Sequence, residues 1–339
     1  MADYRHLPSA VCHLVVAGEF ILPRVSSPNI STAIDLADIR AAAARVRPYV
    51  HRTPLLASRS ISERVGCEVR LKCENLQRSG SFKIRGAMNA LLQLDDAQRT
   101  RGVVAFSSGN HGQAVALAAK LLGIPATIVM PENSVESKVI STKAYGAEVV
   151  QQGVTQATRD RIAREIAESK GAAVIPPFDD ERIMAGAGTA CLEIVEEWPE
   201  VEMIITPLGG GGLLSGTSIA AQGRAVYGVE PAAGNDGEQS FRKGEIVRID
   251  APNTIADGAR TLSLGTRTFP IIREHVRDVV SVDDAALLET LKWTIYRTKL
   301  VIEATSALGL AALFAGKIAA KGKIAVLTSG GNLDFKLLC

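Results

Sequence analysis

The sequence predicts an α/β fold, with parallel sheet covered by helices on both faces, and three observations carry that prediction. Short apolar runs alternate with helix-period segments from residue 69 onward, the rhythm of strand–helix–strand units. Three loops of small residues directly follow apolar runs, where the carboxyl ends of parallel strands offer ligand sites. The length, 339 residues, exceeds one ordinary core and falls short of three. Two domains, or one large α/β unit with an inserted lobe, are therefore expected.

Taken in chain order, residues 1–30 form an extension of unassigned role. Its apolar stretch Val11–Pro23 is broken by His13 and Glu19 and lacks a clean small-residue cleavage site, so it reads as an arm and not as a signal peptide or membrane span. Ser31–Arg45 reads as a surface helix, with Asp35 or Asp38 at its first turn and Pro48 bounding it. Apolar runs read as strands at Glu68–Lys72, Val103–Ser107, Ala126–Met130, Glu148–Gln151, Ala173–Ile175, Met203–Pro207, Ala225–Glu230 and Ile324–Thr328. Helical periodicity marks Ala87–Leu94, Gly112–Leu122, Thr155–Lys170, Gly186–Glu197 and Leu214–Gln222. No tandem repeat or low-complexity linker interrupts this order.

Composition narrows the function classes. Hydrophobic residues make up 47% and charged residues 22%, as in soluble globular proteins. A formal charge of +2 gives no broad electrostatic case for nucleic acid or anionic membrane as partner. Cys12, Cys67, Cys73, Cys191 and Cys339 show no CxxC and no regular spacing. A reduced, cytoplasmic setting without disulfide framework or zinc site is expected.

The chemistry is concentrated in a few loops. Ser79-Gly-Ser-Phe-Lys-Ile-Arg-Gly-Ala87 delivers Lys83 to the start of an apolar-periodic segment. A helix start and a partly desolvated cleft both lower a lysine pKa, and a neutral amine can attack an aldehyde to form a Schiff base. Phe106-Ser-Ser-Gly-Asn-His-Gly-Gln-Ala114 opens an alanine-rich helix; it suits a substrate carboxylate, or is a plain turn capped by Asn110. Pro207-Leu-Gly-Gly-Gly-Gly-Leu-Leu-Ser-Gly216 places Gly209 to Gly212 between a strand and a helix, where backbone N–H groups can form a nest for phosphate. A dinucleotide site is the rival, with Glu230 roughly twenty residues on, but Leu214 and Ser215 stand where G-x-G-x-x-G needs its last glycine. No G-x-x-x-x-G-K-[ST] occurs either. Val326-Leu-Thr-Ser-Gly-Gly-Asn-Leu333 ends a further strand and offers the Ser329 hydroxyl. Glu230 and Asp236, with a carbonyl between them, are either solvated loop acids or ligands for a hard cation.

Together these segments resemble the fold-type II pyridoxal-phosphate enzymes, and within them the serine/threonine dehydratase and serine racemase family. The resemblance spans residues 50–335. It is carried by His51-Arg-Thr-Pro-Leu55, Ser81-Phe-Lys-Ile-Arg-Gly86, Ser108-Gly-Asn-His-Gly-Gln113, the four glycines, Asp257-Gly258, Phe269-Pro-Ile-Ile272 and Ser329-Gly-Gly-Asn332. It implies a tryptophan-synthase-β-like architecture: two open twisted three-layer sheets, a large domain of 31–101 and 180–339, a small domain of 102–179, and the active site between them.

By position, the resemblance makes Lys83 the Schiff-base lysine and general base, and Phe82 the packing against the pyridine ring. Asn110 becomes the donor to the cofactor's 3-oxygen, Gly209, Gly210, Gly211, Gly212 and Leu213 the phosphate cradle, and Ser329 the partner of the pyridine nitrogen. Glu303 falls on the cofactor side. Ser107, Ser108, Asn110 and His111 match the region holding the substrate carboxylate, with Arg159 and Thr261 as further substrate-side positions. Glu230, the Gly234 carbonyl and Asp236 match a site for Mg2+ or Ca2+. The implied reaction is dehydration and deamination of a β-hydroxy amino acid, L-threonine or L-serine by default. L-threo-3-hydroxyaspartate, a phenylserine or a hydroxyectoine-derived amino acid are alternatives. Ser108 stands at the second-face base of racemases, which keeps amino-acid racemisation open, while a hydroxyl at Ser329 favours elimination. A homodimer is implied by the resemblance alone. Little chain follows the Ser-Gly-Gly-Asn segment, so feedback control through a C-terminal regulatory domain is not expected.

Overall fold

The computed structural model describes residues 34–107 and 109–338; the extension over 1–30, the first residues of the helix read from Ser31, and Ser108 lie outside them. Ten strands form two sheets. They are β1 Leu55–Ala57, β2 Glu68–Cys73, β3 Val103–Phe106, β4 Ala126–Val129, β5 Glu148–Val150, β6 Ala173–Ile175, β7 Met203–Pro207, β8 Ala225–Pro231, β9 Asp278–Val282 and β10 Lys323–Thr328. The larger sheet runs β1-β2-β10-β7-β8-β9 and the smaller β5-β4-β3-β6. Both belong to one compact unit. All pairings are parallel except β1 with β2, which is antiparallel with Leu56 opposite Leu71. The expected all-parallel pattern thus fails at one edge. The chain passes from β1 through the helix Arg59–Val65 into β2, and β1 lies at the outer edge of the sheet.

The period-two alternation of strand side chains explains the layering. In the larger sheet Ile204, Val226, Val279, Ala325 and Leu327 face one core with the helices Glu181–Glu197 and Gly212–Ala220. Met203, Ile205, Val229, Val280, Ile324 and Val326 face the other, against the helix Ala304–Phe314. In the smaller sheet Val103, Ala105 and Ile128 pack with the helices Lys83–Leu91 and Asn110–Leu122, while Val104, Phe106 and Val129 pack with Arg159–Lys170. Both sheets are three-layered.

The helix read from Ser31 is seen over Leu36–Val46, with Asp35 as N-cap in a reciprocal capping box with Asp38. Asn110 is not a cap. Gly109 occupies that position and Asn110 is the first helical residue, which frees its side chain for the cleft.

Candidate active site

The carboxyl ends of β3, β6, β7 and β10 converge on one cleft, lined by residues that follow each strand. Parallel strands bring this about: every βα turn falls on the same edge. Lys83 opens its helix inside this cleft, with Phe82 before it. Its Nζ donates to the Pro177 carbonyl at 2.8 Å and lies 5.1 Å from the Phe82 ring centre. Burial lowers its pKa to about 8; Glu303 opposes the shift and Arg159 adds to it. A lysine so placed is a usable nucleophile and base near neutral pH.

The glycine turn follows β7. Gly211 has φ of +99° and starts the helix Gly212–Ala220 as its N-cap, a conformation that favours glycine. Gly210 is glycine for space, since a Cβ there would overlap the Phe178 ring. The turn thus keeps backbone, and not side chains, against the cleft, together with Leu213. The first N–H groups of a helix have no helical acceptor and suit an anion.

Across the cleft, Asn110 Nδ2 donates to Glu303 Oε1 at 2.6 Å, and Asn332 Nδ2 donates to Asn110 Oδ1 at 2.9 Å. Glu303 also meets Lys138, whose Nζ reaches its Oε2 at 3.4 Å and Asp257 Oδ2 at 2.5 Å. Burial pushes the Glu303 carboxyl up to about 7, with Lys138 opposing and Asp257 adding to the shift. Ser329, 3% exposed, sits with its Oγ 3.2 Å from Ser306 Oγ. Ser306 donates to the Gly330 carbonyl at 2.6 Å, so its one proton is committed and Ser329 is the donor in the contact between the two hydroxyls. His111 Nε2 lies 2.9 Å from the Ile175 carbonyl, while its Nδ1 is buried without a partner among the described residues. Burial and then Lys83 hold its pKa down to about 3, so the ring is neutral, Nε2–H donates, and Nδ1 is an acceptor. Arg159 reaches the cleft from the start of its helix, and burial lowers its guanidinium to about 10. Thr261 lines the same space with a buried hydroxyl lacking a partner, and Ser107 Oγ accepts from the Gly109 N–H at 3.1 Å.

The residues singled out from the sequence for cofactor and substrate therefore share one cleft, apart from Ser108, which is not among the described residues. Glu230, Gly234 and Asp236 do not line it; they cluster at the end of β8 and just beyond it. Sequence reasoning missed Lys138 and Phe178. Lys138 stands one turn into an ordinary-looking helix, Glu136–Ala144, and only the strand order brings it to Glu303. Phe178 follows Pro176-Pro177, a stiff pair whose signal is visible in the sequence.

A family profile described as "Pyridoxal-phosphate dependent enzyme" matches residues 46–330. The chain belongs to the pyridoxal-phosphate-dependent enzymes. Within this family it is 49% identical to the serine racemase of Schizosaccharomyces pombe, covering 88% of this chain and 94% of that one. It is 48% identical to the L-threo-3-hydroxyaspartate ammonia-lyase of Saccharomyces cerevisiae, covering 88% and 93%. The solved structure of maize serine racemase superposes with a TM-score of 0.87 at 42% identity, covering 90% of this chain and 96% of that one. The fold is that of the fold-type II members. The cleft fits the family's cofactor on its own chemistry: a half-buried amine of lowered pKa for the aldehyde, and a side-chain-free turn at a helix start for the phosphate.

Proposed function

We propose that the protein is an ammonia-lyase that dehydrates and deaminates a β-hydroxy amino acid, L-threonine or L-serine first, to a 2-oxo acid and ammonia. The observation that carries this reading is Lys83, half-buried at the head of its helix with a pKa of about 8 and sharing its cleft with the neutral hydroxyl of Ser329. When bound, pyridoxal phosphate supplies the electron sink for breaking a bond at the substrate α-carbon. Lys83 Nζ takes the α-proton as a positioned base. Asn110, His111 and the turn from Ser107 orient the carboxylate. Ser329 offers a hydroxyl, which does not hold a proton on a heterocycle nitrogen as a carboxylate does, and this favours loss of the β-hydroxyl as water.

Arg159 supports a second reading. A half-buried guanidinium lining the cleft would suit a substrate carrying a second carboxylate, such as L-threo-3-hydroxyaspartate. Racemisation through Ser108, and dehydration of a phenylserine or a hydroxyectoine-derived amino acid, are further alternatives. We further read Glu230, the Gly234 carbonyl and Asp236 as a site for Mg2+ or Ca2+. Both Asp236 oxygens are buried without a partner, and burial raises its pKa to about 7. Glu230 is raised well above the usual range by burial and then by Asp236. We also read the two sheets as the cores of a large lobe, 31–101 with 180–339, and a small lobe, 102–179, in a cytoplasmic homodimer. The described cysteines are all free thiols, in keeping with a reducing compartment, and no described helix is long and apolar enough to cross a membrane.

The test is incubation of the pure protein with pyridoxal phosphate and a divalent cation, against L-serine, L-threonine, L-threo-3-hydroxyaspartate and a phenylserine. Oxo acid and D-amino acid are quantified in one chiral run. Oxo acid from L-threonine or L-serine is expected, reduced at least about 100-fold in Lys83→Ala. Turnover confined to hydroxyaspartate selects the second reading; D-serine without oxo acid overturns both.

A further inference from the structure

The glycine turn is held from behind by a two-step relay that ends on Asp179, a residue outside the cleft lining. The Gly210 carbonyl accepts from Thr268 Oγ1 at 2.8 Å and from the Gly265 N–H at 3.2 Å. Thr268 is fully buried and does not line the cleft. The described chain has no cis peptide bond, and in a trans peptide the C=O and the following N–H point in opposite directions. Fixing the Gly210 carbonyl on Thr268 therefore turns the Gly211 N–H away from Thr268, toward the cleft that Gly211 lines. Gly211 itself allows no slack, since a Cβ there would lie 2.7 Å from Thr268 Oγ1.

Thr268 is placed in turn by Asp179. Its carboxylate accepts from the N–H groups of Thr266, Arg267 and Thr268 at 3.1, 2.9 and 3.3 Å, and from Thr266 Oγ1 at 3.1 Å. Asp179 packs so closely that a Cβ on Gly265 would overlap it. The segment carrying Asp179 also carries the two other groups that shape this end of the cleft: the Pro177 carbonyl, which holds Lys83, and Phe178, whose ring covers Gly210 and whose Cβ and backbone stand against Gly212.

We propose that Asp179 is the positioning residue of the phosphate cradle: it fixes the 265–268 turn, the Thr268 hydroxyl fixes the Gly210 peptide, and that peptide presents the Gly211 N–H to the phosphate. The inference rests on the cofactor reading above and adds a residue with no ligand contact of its own. A carboxylate gathering three N–H groups is replaced only in part by an amide, whose NH2 cannot accept, so Asp179→Asn should loosen the turn without unfolding the chain.

The experiment is equilibrium titration of the apoprotein, by absorbance and fluorescence, with pyridoxal phosphate and separately with pyridoxal, which lacks the phosphate. Wild type, Asp179→Asn, Thr268→Val and Thr268→Ser are compared, with thermal melts of each apoprotein. The expected result is a loss of tenfold or more in pyridoxal phosphate affinity for Asp179→Asn and Thr268→Val. Pyridoxal affinity should stay within threefold, and Thr268→Ser, which keeps the hydroxyl, should behave as wild type. Unchanged pyridoxal phosphate affinity in a folded Asp179→Asn would sink the relay. A parallel loss for both ligands would sink it too, marking Asp179 as a general structural residue. A wild type that takes up neither ligand would overturn the cofactor reading itself, and is distinguishable because it appears before any variant is compared.

Discussion

Two buried clusters of charge flank the helix that begins at Lys83, and they are built on opposite plans. Behind it, Arg85 and Lys72, both fully buried, face Glu74 and Glu193. Arg85 reaches Glu74 at 2.7 Å, Glu193 at 2.7 Å, Thr189 at 3.1 Å and the His51 carbonyl at 3.2 Å. Two cations meet two anions and the guanidinium is fully engaged. Burial works against the Glu74 charge, but Arg85 overrides it and holds the carboxyl below its usual range. In front, Lys138 faces both Asp257 and Glu303, one cation to two anions, with the cleft on the open side. The balanced cluster is saturated and fixed in charge; the unbalanced one keeps a carboxyl that titrates near 7. A closed cluster anchors the Lys83 helix, whereas an open one leaves a charge that a ligand can complete. Net charge and access to the cleft separate the two roles more clearly than burial does.

The sharpest way to break the comparison is to remove the central cation of each. Arg85→Met strands the buried Glu74 carboxylate, while Glu193 keeps Lys72, and a loss of about 3–5 kcal/mol in unfolding free energy is expected from urea denaturation. A loss below about 1 kcal/mol would show that the cluster is no anchor. Lys138→Met should cost about 1–2 kcal/mol, because the cleft side can rehydrate, yet lower kcat/KM at least about tenfold. It should also move any inflection in the pH profile upward from near 7, since the group opposing the rise of Glu303 is gone. Equal stability losses for the two variants would erase the distinction.

A smaller effect concerns Glu230 and Asp236, an anionic pair with no ion-pair partner among the described residues. Both folded pKa values are raised. The cation-free fold therefore binds more protons than the unfolded chain and loses stability as pH rises from about 4 toward 7. Mg2+ or Ca2+ should restore that loss, so the rise in Tm on adding the cation should be larger at pH 8 than at pH 5. An equal rise at both would argue against these ligands.

What is legible in the sequence is what is local. Lys83, the four glycines and Ser329 stand at strand-to-helix turns whose small residues are unusual in themselves, and eight strands show as apolar runs. Short β1, whose three residues are too few to show a period, does not stand out, nor does β9, Asp278–Val282, separate from its surroundings. Lys138 and Asp179 are invisible for a different reason. Their partners, Glu303 and the 265–268 turn, are set by the order of strands in space, and the Pro176-Pro177 pair just before Asp179 signals a stiff turn but not its partner. Arg85 reads only as part of a motif, and its anchoring role requires the helix Glu181–Glu197 to bring Glu193 alongside.

The Phe178 ring covering Gly210 has a consequence for how this site can vary. Any side chain at 210 collides with a ring that is itself held between two prolines and Asp179. Gly210→Ala alone should be harmful, and Phe178→Ala alone should open a void. Only the double exchange relieves the collision. The two positions are thus epistatic, and sequences drifting from this one are expected to change them together or not at all.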